Sequence, residues 1–509
     1  MLARIHSAAL VGIDAVPCEV EVDVARGGQE RSVVVGLPDT AVKESIERVR
    51  SALANCGYPL PQSSSVINLA PADLKKEGPS YDLPIALGML CAQGVLQSPK
   101  LEKTVIIGEL ALDGRVRTVK GVLATAIMAR DQQFTTVIVP ADNAAEAAVV
   151  TELEVVPVSS LTEAAAYLAG ALPLEPVVID IDAAFARAAV YEDDFVDVKG
   201  QESAKRALAI AAAGNHNVLM IGPPGSGKTM LTRRLPTILP PLTLAESLET
   251  TRVYSAMGML KKGQSLLAIR PVRSPHHSAS GPSLVGGGSL PKPGELSLAH
   301  NGLLFLDEFP EFKRTVLETI RQPLEENSVT VARAAGTLTF PANIMLVAAM
   351  NPCPCGYLTD PKRKCKCSPN QVEKYLGRIS GPLIDRIDIH IEVPAVPYRD
   401  LSSDRDGTSS TAMREQVIKA RRIQTERFSG KAPYTNARMN SRQVRAHCKL
   451  DEPGKQYIKQ AVYEMGLSAR AHDKVLKIAR TLADLEACPD IQAHHVAEAI
   501  QYRRLDRKY

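Results

Sequence analysis

Across positions 1–171, apolar residues fall into short β-branched runs that alternate with stretches repeating at helical spacing. The runs at 20–24, 31–36, 65–69, 105–112 and 137–140 predict strands, and 40–55, 82–90, 122–130 and 161–170 predict helices. Pro38-Asp39-Thr40 places acidic and hydroxyl groups where the unpaired N–H groups of a helix start need acceptors. These elements predict an α+β domain over 1–171, followed by a linker over 172–195 that contains Pro173 and Pro176. An apolar strand at 218–221 opens a second, α/β domain expected over 196–396. Polar residues at 402–410 mark the next boundary, and 397–509 reads as helical, most clearly at 467–486. The expected plan is multidomain α/β, without internal repeats.

The chemistry concentrates after the strand at 218–221. Gly222-Pro223-Pro224-Gly225-Ser226-Gly227-Lys228-Thr229 satisfies G-x-x-x-x-G-K-[ST], with a strand before it and a helix after it. Glycines there let backbone N–H groups curl around phosphate oxygens; Lys228 neutralises the β/γ oxygens and Thr229 offers its hydroxyl to Mg²⁺. Such a loop calls for an acidic strand end. Leu303-Leu-Phe-Leu-Asp307-Glu308 supplies it, with Asp307 suited to the Mg²⁺ shell and Glu308 to polarising the attacking water. The next apolar strand ends at Asn351, whose amide can orient that water or touch the γ-phosphate. Arg386 begins a later apolar strand and Arg470 opens the long C-terminal helix; a γ-phosphate needs guanidinium charge in its transition state.

This ordered set, Gly222–Thr229, Asp307-Glu308, Asn351, Arg386 and Arg470, resembles an AAA+ ATPase. Three further stretches, at 36–45 (Gly-Leu-Pro-Asp-Thr-Ala-Val-Lys-Glu-Ser), 270–280 (Arg-Pro-Val-Arg-Ser-Pro-His-His-Ser-Ala-Ser) and 468–473 (Ser-Ala-Arg-Ala-His-Asp), resemble the magnesium-chelatase-like ComM/YifB family over essentially the whole chain. The resemblance implies an ATP- and Mg²⁺-dependent ring, a hexamer. In it Arg386 reaches a neighbour's nucleotide as a finger and Arg470 serves as the second sensor. It also implies a DNA motor, a helicase or branch-migration factor used when incoming single strands are integrated during natural transformation. The 397–509 segment becomes a chelatase-type helical lid.

Residues 328–340 read as a β-hairpin with Arg333 near its tip. By themselves they fit equally an ordinary hairpin with a solvated arginine. In the family such a hairpin projects into the ring pore, which implies a ring of Arg333 cations tracking a DNA backbone. The Gly-rich stretch 280–288 is a candidate second pore element, and His276 and His277 before it read as exposed loop residues.

Cys353, Cys355, Cys365 and Cys367 form two C-x-C pairs within an insert at 351–370. Four thiolates can close a tetrahedral shell suited to structural Zn²⁺; iron–sulfur ligation and unligated reduced thiols are the alternatives. In the first domain, Lys76-Glu-Gly-Pro-Ser80-Tyr-Asp-Leu and Ile107-Gly-Glu-Leu-Ala-Leu-Asp-Gly-Arg-Val resemble the proteolytic domain of Lon. Ser80 matches its nucleophile, but Val-Leu-Ala-Thr-Ala follows Gly121 where the base lysine belongs, and Lys120 lies just upstream. A serine without its base is barely nucleophilic, so an inactive domain is expected.

Composition narrows the rest. No apolar stretch reaches the roughly 18 residues of a membrane-spanning helix. The short apolar start, flanked by Arg4 and His6 and ended by Asp14, does not read as a signal peptide. Nine cysteines, four of them crowded together, point to a reducing, cytoplasmic compartment rather than a disulfide framework. Residues 1–180 carry a net charge of −8 and the remainder +12, so a polyanion would favour the second part. With 4% aromatics and no Trp, stacking platforms for bases are scarce. Three functions compete: a DNA-translocating ATPase, a chelatase-type motor acting on a protein partner, and a Lon-like peptidase.

Overall fold

The computed structural model describes residues 2–25, 32–59, 64–188, 191–288, 291–333, 336–360, 363–397, 407–430 and 435–503. They form two compact units, one of 1–189 with Thr243–Ala268 and one of 190–242 with 269–509.

The first unit is built on a seven-stranded mixed sheet, ordered Ser32–Val35, Ser65–Ala70, Asp14–Val24, Leu2–Val11, Thr104–Ile106, Thr136–Pro140, Glu154–Val158. The long antiparallel pair Leu2–Val11 with Asp14–Val24 runs in register from Leu2 opposite Asp23 to Val11 opposite Asp14. The opening strand is not legible as one in the sequence, because its apolar and polar residues do not alternate cleanly. Helix Thr40–Asn55 starts where expected: the Asp39 carboxylate accepts from the Val42 N–H at 2.8 Å. The single strand expected over 105–112 is broken into Thr104–Ile106 and Glu109–Leu110. Gly108 turns away from the sheet there, donating to Ser80 O at 2.9 Å and accepting from the Leu83 N–H at 3.0 Å.

The second unit carries a five-stranded parallel sheet, ordered Val272–Arg273, Leu303–Leu306, Met345–Met350, Val218–Ile221, Ile389–Glu392. The three central strands are buried along their whole length, as expected of a parallel sheet covered on both faces. Their carboxyl ends converge on one crevice, where ligands bind in open α/β sheets.

Two features depart from the division expected from sequence. The helical segment Thr243–Ala268 lies inside the range assigned to the α/β domain but clusters with the first unit. Its helix Leu244–Met257 buries the hydroxyl residues Ser247, Thr250, Thr251 and Ser255 together with Val253 and Tyr254, and Leu248 packs against an apolar cluster of the first unit. Ser255 hydroxyl donates to the buried Glu146 carboxylate, and Arg252 pairs with Asp14 at 2.9 Å. The second departure is at 396–397, where no boundary between compact units falls. Helices Ser410–Arg427, Glu452–Met465 and Ala469–Leu485 share one hydrophobic core with the five-stranded sheet. Within the expected linker, Ile181–Ala188 is helical. Among the described residues no helix is long and apolar enough to cross a membrane.

Candidate nucleotide site and cysteine knuckle

The loop 222–229 joins strand Val218–Ile221 to helix Lys228–Ile238, with Gly227 as the helix N-cap at φ +87°. That conformation strongly favours glycine, which has no Cβ to strain. At Gly222 a Cβ would lie 2.1 Å from Val393 O, so the start of the loop also excludes a side chain. Lys228 Nζ is buried and donates to Gly222 O at 2.7 Å, Pro223 O at 2.9 Å and Asn351 Oδ1 at 3.3 Å. Burial pushes its ammonium below the ordinary lysine value, with Asp307 opposing the shift.

Asp307 and Glu308 follow strand Leu303–Leu306. Thr229 hydroxyl donates to Asp307 Oδ2 at 2.9 Å, and the Glu308 N–H donates to Asp307 Oδ1 at 2.9 Å. A cavity of about 660 Å³ opens here, lined by residues 224–230, Ser274, Pro275, His276, His277, Asp307, Glu308 and Asn351. His277 Nδ1 lies 2.9 Å from Glu308 Oε2. Along the chain this histidine reads only as an exposed loop residue; a His-His pair gives no local signal of the carboxylate it will meet.

Arg386 and Arg470 are not among the residues lining this cavity. They meet elsewhere, on one carboxylate: Arg386 Nη2 lies 2.7 Å and Arg470 Nη2 3.9 Å from Glu325 Oε1. Arg386 also donates to Pro382 O at 2.7 Å.

The hairpin expected over 328–340 forms from Ser328–Arg333 and Gly336–Pro341. Val329, Val331 and Phe340 are buried, each contributing about 1.5–3 kcal/mol, while Ala332 and Arg333 are exposed at its distal end. Arg333 Nη1 donates to Ala332 O at 3.2 Å.

The four clustered cysteines bring their Sγ atoms together, all within 4.8 Å of one another. Cys353 Sγ lies 3.4 Å from Cys355 Sγ and 3.6 Å from Cys365 Sγ. A tetrahedral Zn²⁺ with bonds of about 2.3 Å sets sulfurs about 3.8 Å apart, so the donor set fits zinc. Hydrogen bonds from the backbone N–H groups of Lys366 and Tyr357 bring the Cys355 thiol down to about 6. The knuckle abuts the phosphate loop: a Cβ at Gly356 would lie 2.5 Å from Pro224 Cδ. A second ligand-like group, Glu486, His494 and His495, has a different account. His495 Nδ1 accepts the Gln492 N–H at 3.0 Å, so its Nε2 carries the proton and donates to Glu486 at 3.0 Å.

In the first unit, Ser80 sits in the short 3₁₀ turn Pro79–Tyr81, and Lys120 lies against Gly258, where an added Cβ would stand 2.9 Å from Lys120 Cε. Lys76, before Ser80, is fully buried and donates to Pro71 O.

A parallel sheet with a glycine loop, a buried lysine and a Thr–Asp pair at its carboxyl edge defines a P-loop nucleotide-binding protein, and the order of its parts is that of an AAA+ ATPase. Comparison with known families agrees. The models described as magnesium chelatase, subunit ChlI, match residues 194–401; as subunit ChlI of Mg-chelatase, 20–143; and as magnesium chelatase, subunit ChlI C-terminal, 407–503. The chain is 43% identical to Competence protein ComM of Haemophilus influenzae over 99% of this chain and 98% of that protein. It is 42% identical to the uncharacterized protein YifB of Salmonella typhimurium over the same shares. The chain belongs to the magnesium-chelatase-like ComM/YifB family. A partial likeness, 27% identity over 35% of this chain and 22% of the relative, connects it to a probable DNA helicase, MCM9, of Arabidopsis thaliana.

Proposed function

We propose that this protein is a cytoplasmic, ring-forming ATPase that moves on DNA, a helicase or branch-migration factor serving the integration of incoming strands during natural transformation or recombination. The observation that carries the ATPase reading is one cavity holding Lys228, Thr229, Asp307, Glu308 and Asn351. Lys228 and the backbone N–H groups of 222–229 hold the β- and γ-phosphates of ATP. Mg²⁺, when bound with ATP, neutralises charge on those phosphates; the Thr229 hydroxyl and Asp307 carboxylate, hard oxygen donors 2.9 Å apart, would hold it. Glu308 polarises the attacking water and Asn351 orients it.

Arg386 and Arg470 share Glu325 outside their own chain's cavity. We assign Arg386 to the nucleotide of a neighbouring subunit, as a finger, and Arg470 to the second sensor, in a ring of six by family likeness. The cysteine knuckle would hold a structural Zn²⁺ and brace the phosphate loop through Gly356 and Pro224. Metal analysis of reduced protein purified without chelators should find about one Zn²⁺ per chain, and Cys365→Ser should lower zinc content and ATP affinity together. Stoichiometric iron, or no metal, would refute the assignment. The first unit is read as a Lon-like domain that no longer cleaves peptides, because Val-Leu-Ala-Thr-Ala follows Gly121 where the base lysine for Ser80 belongs.

DNA as the track is supported by the +12 charge of residues 181–509, by the Arg333 hairpin, and by the names of the competence and helicase relatives. The chelatase family models support a second reading, a motor acting on a protein partner. ATP hydrolysis measured with and without single-stranded and forked DNA, alongside strand displacement, separates them. A rate indifferent to DNA favours the protein partner.

Within the DNA reading, Arg333→Ala should keep ATP affinity while DNA stimulation and strand displacement fall together. The slope of log affinity against log salt should flatten by roughly 0.7 for each single-strand phosphate that the variant no longer neutralises. Arg333→Lys should recover part of the binding, since charge does most of the backbone work. Parental unwinding by Arg333→Ala would remove the hairpin from the track.

A further inference from the structure

We infer that Glu325 is the positioning residue that aims Arg386 at the nucleotide of a neighbouring subunit. This rests on the reading of Arg386 as a finger, and it adds the group that fixes where its guanidinium points.

Arg386 is held at two points. Nη1 donates to Pro382 O at 2.7 Å, and Nη2 lies 2.7 Å from Glu325 Oε1. A guanidinium is a rigid planar fork, so contacts at separate nitrogens fix both its position and its plane. The Pro382 contact is local to the chain; Glu325 alone of the two comes from another element and sets the direction. Arg470 Nη2 lies 3.9 Å from the same oxygen, so this carboxylate also offsets the repulsion between two cations brought to one place. The Glu325 side chain is 48% exposed, where an ion pair stabilises a fold little. What the pair supplies is aim.

Both sides of the contact are anchored. Glu325 lies on helix Arg321–Glu326, where the Leu324 carbonyl accepts from Arg438 Nη1 at 2.8 Å. Nη2 of the same arginine donates to Ile344 O at 3.0 Å, which ties the backbone beside Glu325 to the start of strand Met345–Met350. On the other side, Asp388 follows Arg386 by two residues and accepts the Asn217 N–H at 2.9 Å. It also lies 2.8 Å from Lys474 Nζ, four residues after Arg470 on helix Ala469–Leu485. The segment of Arg386 is thereby fastened both to the strand that leads into the phosphate loop and to the helix of Arg470. A carboxylate on one fixed support facing an arginine on another can hold a direction. Glu325 is not among the residues lining its own chain's nucleotide cavity, so it acts through Arg386.

The test is steady-state ATP hydrolysis by the full chain carrying Glu325→Ala or Glu325→Gln, alone and in mixed rings. Glu325→Ala should lower kcat about ten- to a hundred-fold, the cost of a reacting group misplaced by about an ångström. The KM for ATP should stay within about two-fold of the parent, because the variant's own phosphate loop is intact. Glu325→Gln, whose amide oxygen still accepts from Arg386, should recover part of the loss. Mixed with Lys228→Ala subunits, Glu325→Ala should gain turnover, since a Lys228→Ala neighbour brings an intact Glu325–Arg386 pair to an intact phosphate loop. A group needed only within its own subunit gives dilution without gain. Added to Arg386→Ala, Glu325→Ala should cost nothing further. A kcat in Glu325→Ala equal to the parent's or higher overturns the assignment. So does dilution without gain where Arg386→Ala gains under the same subunit exchange. No gain by either variant removes the finger reading itself, and this assignment with it.

Discussion

Glu308→Gln is expected to keep ATP bound and to lose hydrolysis by about 100- to 10,000-fold, the usual contribution of a positioned acid–base group. The amide preserves the size of the side chain and can still accept from His277, so the cavity keeps its shape. What is lost is the negative oxygen that draws a proton from water. Lys228→Ala should fail earlier in the cycle. Its ammonium is the buried cation that the loop carbonyls and Asn351 now occupy, and without it the phosphates lose their strongest partner, so ATP affinity itself falls. Equilibrium binding of a labelled ATP analogue, followed by single-turnover hydrolysis, separates the two variants. Full turnover by Glu308→Gln would show that another group polarises the water.

Arg386→Ala is expected to bind ATP normally and hydrolyse it about 10³-fold more slowly or worse, the range for a lost arginine finger. The decisive measurement mixes it with Lys228→Ala subunits, each homogeneous preparation being inactive. Interfaces that pair an intact phosphate loop with an intact Arg386 then arise in mixed rings, and part of the activity should return. No return under conditions of proven subunit exchange would place Arg386 outside the neighbouring site. Arg470→Ala should behave alike in the same mixture if the two arginines work together, as their shared Glu325 supports. Recovery for Arg386 without recovery for Arg470 would separate their roles.

The phosphate loop is readable along the chain because its parts are contiguous: strand, glycines, lysine and helix lie within Val218–Ile238, and the backbone does most of the binding. Asp307-Glu308 and Asn351 are readable as strand ends, since a buried apolar run ending in a polar group marks the edge of a parallel sheet. The thiol cluster is readable from spacing alone, two close pairs on one loop. Other relations need the tertiary structure, because they join residues far apart in sequence. Helix Leu244–Met257 buries hydroxyls as well as Val253 and Tyr254, and its pattern does not say that Ser255 will meet Glu146 within the first unit. His277 becomes a partner of Glu308 only through the parallel pairing of Val272–Arg273 with Leu303–Leu304, which sets the loops after these two strands side by side. Arg386 and Arg470 look like two independent cations in the sequence, and only the packing of the C-terminal helices onto the sheet brings both to Glu325. Local chemistry is written in short runs because backbone geometry alone enforces it; partnership across elements depends on which faces pack, and packing is decided by the whole chain at once.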